Sequence, residues 1–302
     1  MDSDALYQPF PLPTRARGHV WRHRPATRRP RHFHAEPELN LITAGTARFG
    51  MGDLAIDVGP GDLLWWPPGQ DHVLLDASAD FDLFVVGVTP ELSDRVLGGD
   101  GATAHAAPAR VRLPREVLAG LQSICAASPD QPDLSTEDPI VIERRVGDLW
   151  RIAHQARGVS IRQEPWEGSL NLPRRLRWAK PSSVNTTYRH VLTRRALTRL
   201  LQRPDITRAE IAQAIRADPT EVSRHFHRDM GLTLGGYRTR LRLLRFVQGV
   251  DDGAPSLMAA ALDAGFGSYA QCHRAFQQTF GCPPRQFFAT DLRVQMAHAF
   301  SP

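Results

Sequence analysis

Cysteine is scarce in this sequence: three among 302 residues, Cys125, Cys272 and Cys282, odd in number and scattered. A fold stapled by disulfides needs paired cysteines at short spacings, so that class is excluded and a reducing cytoplasm is the expected home. Long apolar runs are also missing, and none approaches the roughly 18 residues that a membrane-crossing helix needs. The N-terminus, with Asp2, Asp4 and several prolines, lacks the charged-then-apolar pattern of a secretory signal. No membrane partner is expected. From residue 160 onward Lys180 is the only lysine, so the positive charge there is carried by arginine.

What is present suffices for two domains of ordinary size, with 42% hydrophobic residues to fill their cores. The net charge of +5 hides an asymmetry. From residue 160 onward there are 21 basic and 11 acidic residues, whereas the first 159 hold 16 and 21. A basic half beside an acidic half suits a nucleic-acid binder joined to something that avoids phosphate.

The basic half contains one pattern written twice. Arg224, Phe226 and Gly231 recur as Arg274, Phe276 and Gly281, displaced by 50 residues. Repetition at fixed spacing means one supersecondary unit used twice. In the first copy Thr207 and Glu210 form a capping box that opens a helix to about Ala214. Asp218-Pro219-Thr220-Glu221 starts a second helix, which Gly231 ends in the left-handed conformation. Ile211, Ile215, Val222 and Phe226 fall inward; Thr220, Ser223, Arg224 and His227 fall outward. The second copy runs from Ser256 to about Ala264, turns at Gly265-Phe266-Gly267 and restarts at Ser268. Its outward residues are Tyr269, Ala270, Gln271, His273 and Arg274. Two such helical hairpins, joined by a basic helical stretch from Tyr237 to Val250, have the form of helix-turn-helix units, whose second helix enters the DNA major groove.

On Gly265-Phe266, Phe276, Phe280-Gly281 and Pro283-Pro284 the stretch from Val184 to Phe288 resembles the DNA-binding domain of the AraC/XylS family of bacterial transcription regulators. It departs from that pattern at Ala259, Cys272, Gln277 and Arg216, the last at a turn position where glycine is often found. The resemblance implies that Thr220, Ser223 and Arg224 read one groove of double-stranded DNA, and that Tyr269, Ala270, Gln271, His273 and Arg274 read the next.

The acidic half reads differently. Residues 1–30 are rich in proline and arginine without clear periodicity, an arm draped over the first domain or partly disordered. From Arg31 short alternating runs (Leu39-x-Leu41, Leu54-x-Ile56-x-Val58) are punctuated by Gly45, Gly50, Gly52, Gly59-Pro60-Gly61 and Pro67-Pro68-Gly69, and Phe81 to Val88 reads as a buried strand. This predicts a small antiparallel barrel or jelly roll. His32, His34 and Glu38 are all even-numbered, so on one strand they would share a face, and His72 follows a Pro-Gly turn that could bring it to the same interior. Three imidazoles and a carboxylate suit a divalent metal such as Zn, Fe, Mn or Ni. Alternatively, the histidines line a polar effector pocket or serve the turn, without metal. His32-x-His34-x3-Glu38-x6-Gly45 and Gly61-x5-Pro67-x-Gly69-x2-His72 resemble the two signature motifs of the cupin superfamily, with Ala26 and Asp76 departing from them.

Helical spacing returns at Pro114 to Cys125 and at Asp138 to Arg157, separated by a loop at 127–133. By the family resemblance this pair forms a homodimer interface; otherwise it caps the barrel. The expected class is therefore α+β. It divides into a cupin-like effector-sensing and dimerisation domain at 1–160, a linker at 161–183 and a DNA-binding domain with two helix-turn-helix units at 184–302. The expected function is a cytoplasmic transcription regulator that responds to a small molecule or metal and, if an activator, engages RNA polymerase. The competing expectation is a cupin enzyme of dioxygenase or isomerase type fused to a DNA-binding module, with the metal catalytic. The barrel shows no other acid, base or nucleophile constellation, so no catalytic residue is assigned.

Overall fold

The protein is described by a computed structural model covering residues 6–13, 15–24, 30–98, 109–126, 137–157 and 190–289. The expected loop at 127–133 and linker at 161–183 lie outside the described residues, as does the start of the helix expected from Val184.

Among the described residues ten strands build the N-terminal half: β1 (Leu6–Tyr7), β2 (Gly18–His23), β3 (His32–Phe33), β4 (Glu38–Ala44), β5 (Ala47–Met51), β6 (Leu54–Val58), β7 (Asp62–Trp66), β8 (Val73–Ala77), β9 (Asp82–Val88) and β10 (Ala109–Arg112). A five-stranded antiparallel sheet has the order β10-β7-β4-β9-β2, a three-stranded one β6-β5-β8, and β1 pairs with β3 in parallel. The two larger sheets enclose a core of Trp21, Ile42, Phe49, Met51, Leu64, Trp66, Leu83 and Val85.

Strand β4 was expected to be half-buried. It is buried from Glu38 to Ile42, because the other face of its sheet is covered by helices α1 (Pro90–Leu97), α2 (Arg115–Cys125) and α3 (Pro139–Ala156). Successive residues therefore enter different cores. Trp65 packs on Trp150 of α3, with ring centroids 4.8 Å apart, whereas Trp66 points into the barrel. Helix α3 is opened by the Asp138 carboxylate, which accepts from the Ile140 amide, and by proline in its first turn. Burying a side chain such as Val146 or Ile152 is worth about 1.5–3 kcal/mol.

The N-terminal arm corrects the reading of residues 1–30. Gly18–His23 is a full strand along β9, and Tyr7 does not simply drape over the barrel. It enters the core of the other half, stacking on Phe280 at 4.8 Å.

That other half is helical: α4 (Val191–Gln202), α5 (Arg208–Ile215), α6 (Pro219–Met230), α7 (Leu234–Asp251), α8 (Leu257–Asp263), α9 (Tyr269–Phe280) and α10 (Pro284–Ala289). Local chemistry sets the boundaries, as expected. Thr207 and Glu210 close a reciprocal capping box on α5, and the Asp218 carboxylate accepts from the amides of Thr220 and Glu221 at 2.8 and 3.1 Å. Gly231 and Gly281 end α6 and α9 with positive φ. At the α5–α6 turn Arg216 itself takes the left-handed conformation (φ 54°), which costs a non-glycine residue about 1 kcal/mol. Ile211, Ile215, Val222 and Phe226 are all buried. Among the described residues no helix is long and apolar enough to cross a membrane, and all three cysteines are buried with free thiols.

Candidate metal centre and nucleic-acid interface

His32, His34 and Glu38 do not share a strand. His32 lies on β3 and Glu38 begins β4, with a bend at 35–36 and Pro37 between them. The even-number argument therefore fails, yet the side chains still meet. His32 and His72 exchange backbone hydrogen bonds in an isolated bridge, His72 N to His32 O at 2.9 Å and His32 N to His72 O at 3.2 Å. This puts their rings 4.4 Å apart. One ligand nitrogen from each of His32, His34 and His72 lies within 4.8 Å of the others, all three side chains buried. Tetrahedral nitrogens about 2.1 Å from an ion are roughly 3.4 Å apart, so a small inward movement would complete such a site.

The tautomers point the same way. Each Nδ1 sits against a backbone carbonyl two residues away: His32 on Pro30 (3.0 Å), His34 on Glu36 (2.7 Å) and, more loosely, His72 on Gln70 (3.4 Å). A carbonyl only accepts, so Nδ1 carries the proton and Nε2 is left as the lone-pair donor to a metal. Glu38 Oε2 then lies 3.0 Å from His34 Nε2 and 3.6 Å from His72 Nε2. Two acceptors at 3.0 Å need a positive charge between them. Without metal that charge is a proton: although burial opposes it, the hydrogen bond and charge of Glu38 raise the pKa of His34. The Glu38 carboxyl, despite its burial, is held down to about 2 by His72, His34 and Asn40. Burial keeps His32 and His72 neutral at pH 7. The donor set fits a divalent cation.

Two further residues complete the site, and the sequence reading did not assign them to it. Asn40 Nδ2 donates to Glu38 Oε1 at 2.6 Å, Trp66 Nε1 donates to Asn40 Oδ1 at 2.6 Å, and the Trp66 ring stacks on His72 at 5.1 Å. Asn40 was legible, since it is two residues from Glu38 on one strand and so on the same face. The site opens into a cavity of about 60 Å³ with apolar walls that include Phe49, Leu83 and Val85. Trp21 also lines it, and its buried Nε1 has no hydrogen-bond partner among the described residues.

The candidate DNA-facing residues lie on α6 and α9. Thr220 and Arg224 are exposed, and Ser223 is half-buried with its hydroxyl donating to the Pro219 carbonyl at 2.9 Å. On α9, Ala270, Gln271 and Arg274 are exposed, while Tyr269 and His273 are half-buried with rings 6.0 Å apart. The Gln271 side-chain oxygen accepts from the Gly267 amide at 3.0 Å and braces the turn. The arginines of α7 serve otherwise than their charge suggested. Arg238 donates to the Ile206 carbonyl, Arg242 to those of Pro204 and Asp205, and Arg240 to Asp71 of the barrel.

Residues 18–142 match the family model of the AraC-like ligand binding domain, and residues 211–290 match that of a helix-turn-helix domain. Among solved structures, ToxT from Vibrio cholerae O395 is similar over 90% of this chain and 96% of its own, at 9% identity and a TM-score of 0.41. ToxT bound to (E)-4-(8-methylnaphthalen-1-yl)but-3-enoic acid is similar over 90% and 97%, at 11% identity and a TM-score of 0.40. Oxalate decarboxylase of Bacillus subtilis, described with Mn(II) centres, is similar over 24% of this chain and 20% of its own, at 27% identity and a TM-score of 0.21. Likenesses this loose say nothing about the sites. Among curated proteins none matches significantly.

Proposed function

We propose that this chain, which belongs to the AraC family of DNA-binding transcription regulators, senses a divalent metal ion through His32, His34, His72 and Glu38. The architecture is that of a regulator, not an enzyme: a ligand-binding domain precedes a pair of helix-turn-helix units. The carrying observation is the 3.0 Å approach of His34 Nε2 to Glu38 Oε2, with the Nδ1 of each histidine turned to a carbonyl. Such a cluster binds a cation or holds a proton in its place. When bound, an ion would be held by His32, His34, His72 and Glu38 and would supply positive charge at the edge of the cavity. A small effector with an acceptor group suits that cavity, where the Trp21 indole N–H has no partner among the described residues.

The DNA reading follows from the paired units. Thr220, Ser223 and Arg224 on α6, and Tyr269, Ala270, Gln271, His273 and Arg274 on α9, read successive major-groove segments about one turn, roughly 34 Å, apart. The division into a sensing domain at 1–160, a linker at 161–183 and a DNA-binding domain at 184–302 belongs to the same reading, as does a cytoplasmic location. Ile140 and Val141, exposed at the start of α3, mark where a second copy would dock in a homodimer. RNA polymerase is the further partner if the regulator activates.

Elemental analysis of the full chain purified without chelator tests the metal; less than one divalent ion per chain would reject it. Genome-wide mapping of bound DNA tests the rest, and target genes would point to the effector. Binding with no preference over random DNA would reject sequence-specific regulation.

A further inference from the structure

The three-histidine site lies one residue away from the DNA-binding half. Backbone alternation sends neighbouring side chains to opposite sides. While His32 and His72 face the site, Arg31, Phe33 and Asp71 beside them face elsewhere. Phe33 is wholly buried within the core of the helical half, and the Arg240 guanidinium of α7 sits 5.0 Å over its ring. Asp71 is 1% exposed, and its two oxygens are divided. Oδ2 accepts from Arg31 Nη1 at 2.7 Å and from the Gly52 amide at 3.1 Å, whereas Oδ1 accepts from Arg240 Nη1 at 2.6 Å.

One carboxylate thus ties three things together: the bridged pair that carries two ligands, the central helix of the DNA-binding half, and the turn at Gly52. That turn rests on the end of α6. Asp53 N donates to the Gly231 carbonyl at 3.1 Å, and a Cβ on Gly52 would lie only 2.2 Å from that same oxygen. Nearby, Tyr237 Oη donates to the Pro68 carbonyl at 2.6 Å, just ahead of the Gly69 turn that leads to His72.

We propose that a metal ion at the three-histidine site and the docking of the barrel on the DNA-binding half favour each other through Asp71 and Arg240. The inference rests on the metal reading above and adds its regulation. An ion drawing the three Nε2 atoms inward restrains the His32–His72 bridge, and the bridge carries Arg31, Phe33 and Asp71 on its other side. With the histidines untied, that side loses its restraint and the grip on Arg240 loosens. Coupling of this kind is reciprocal, so weakening the grip weakens the metal by the same factor.

Arg240→Ala is an informative test because electrostatics alone predicts the opposite. Removing a positive charge near a cation site tightens the cation, whereas loss of a coupled contact loosens it. Zinc affinity would be measured by competition with a chromophoric chelator on the full chain, for wild type, Arg240→Ala and the uncharged change Tyr237→Phe. The expected result is zinc binding weakened by roughly 5- to 150-fold in Arg240→Ala, the usual range of such couplings, and in the same direction for Tyr237→Phe. Tyr237→Phe keeps the ring against Phe226 and decides the matter if Arg240→Ala does not fold. Unchanged or tighter zinc in the folded variants overturns the coupling while leaving the metal site standing. Wild type that binds neither zinc nor manganese, iron(II) or nickel overturns both.

Discussion

Asp53, in the turn between β5 and β6, lies 3.4 Å from His227 on α6, across the boundary between the two halves. Both side chains are more than half exposed. His227 is on the outward side of α6, so this contact sets a carboxylate beside the surface that would face phosphate.

Replacing Asp53 with asparagine is therefore expected to tighten DNA binding of the full chain. The gain should reach roughly fivefold at most, because exposed charge pairs are worth about 1 kcal/mol or less. It should shrink as salt rises. Titration of a labelled operator at two ionic strengths checks this, and unchanged or weaker binding would count against the barrel opposing DNA.

Arg224 and Arg274 occupy matching exposed positions on α6 and α9. An arginine bidentate to guanine contributes about 1–3 kcal/mol of discrimination. Alanine at either position should relax preference at particular base pairs, measured by binding to a library of operator variants. Uniform weakening across all sequences would assign that arginine to phosphate instead.

Removal of the metal should lower the melting temperature. A ligand held only by the native state stabilises it by about 2.7 kcal/mol at a hundredfold excess over Kd. His34→Ala should abolish both the bound metal and the shift on chelation. A variant that still melts lower after chelator treatment would place the ion elsewhere.

His19 provides a pH test separate from the metal. Burial lowers its pKa to about 4, only partly offset by the Pro11 carbonyl and Glu137. Near pH 7 neither folded nor unfolded chain protonates it. As pH falls below 6.5 the unfolded chain takes up the proton and the folded chain does not, so stability declines until about pH 4. The decline should total on the order of 3 kcal/mol. In His19→Gln the denaturation midpoint should fall less over this window than in wild type. Parallel pH profiles would mean that His19 does not contribute.

The helix-turn-helix pair was legible because its signals act within a turn or two of the chain. Thr207 caps Glu210, Asp218 caps Thr220 and Glu221, and Gly231 and Gly281 stop their helices through contacts three or four residues away. Such pairs are written in spacing. The strands around Leu54 and Phe81 were legible from alternation and turns. Gly18–His23 was not, since the strand is buried at every position from Gly18 to Trp21, shows little alternation, and lies in a segment dominated by arginine and proline.

The candidate ligands were likewise singled out from the sequence, but the way they converge was not. His32, His34 and Glu38 were assigned to one face of one strand, whereas bridge pairing across 40 residues and a bend before Pro37 bring the site together. The partner of Arg240 stands 169 residues away at Asp71, and Tyr7 crosses most of the chain to stack on Phe280. Amino-acid spacing determines hydrogen bonds that close within a turn. Which distant carboxylate neutralises a given arginine depends on which surfaces exclude water from each other, and that is decided only when the two halves pack.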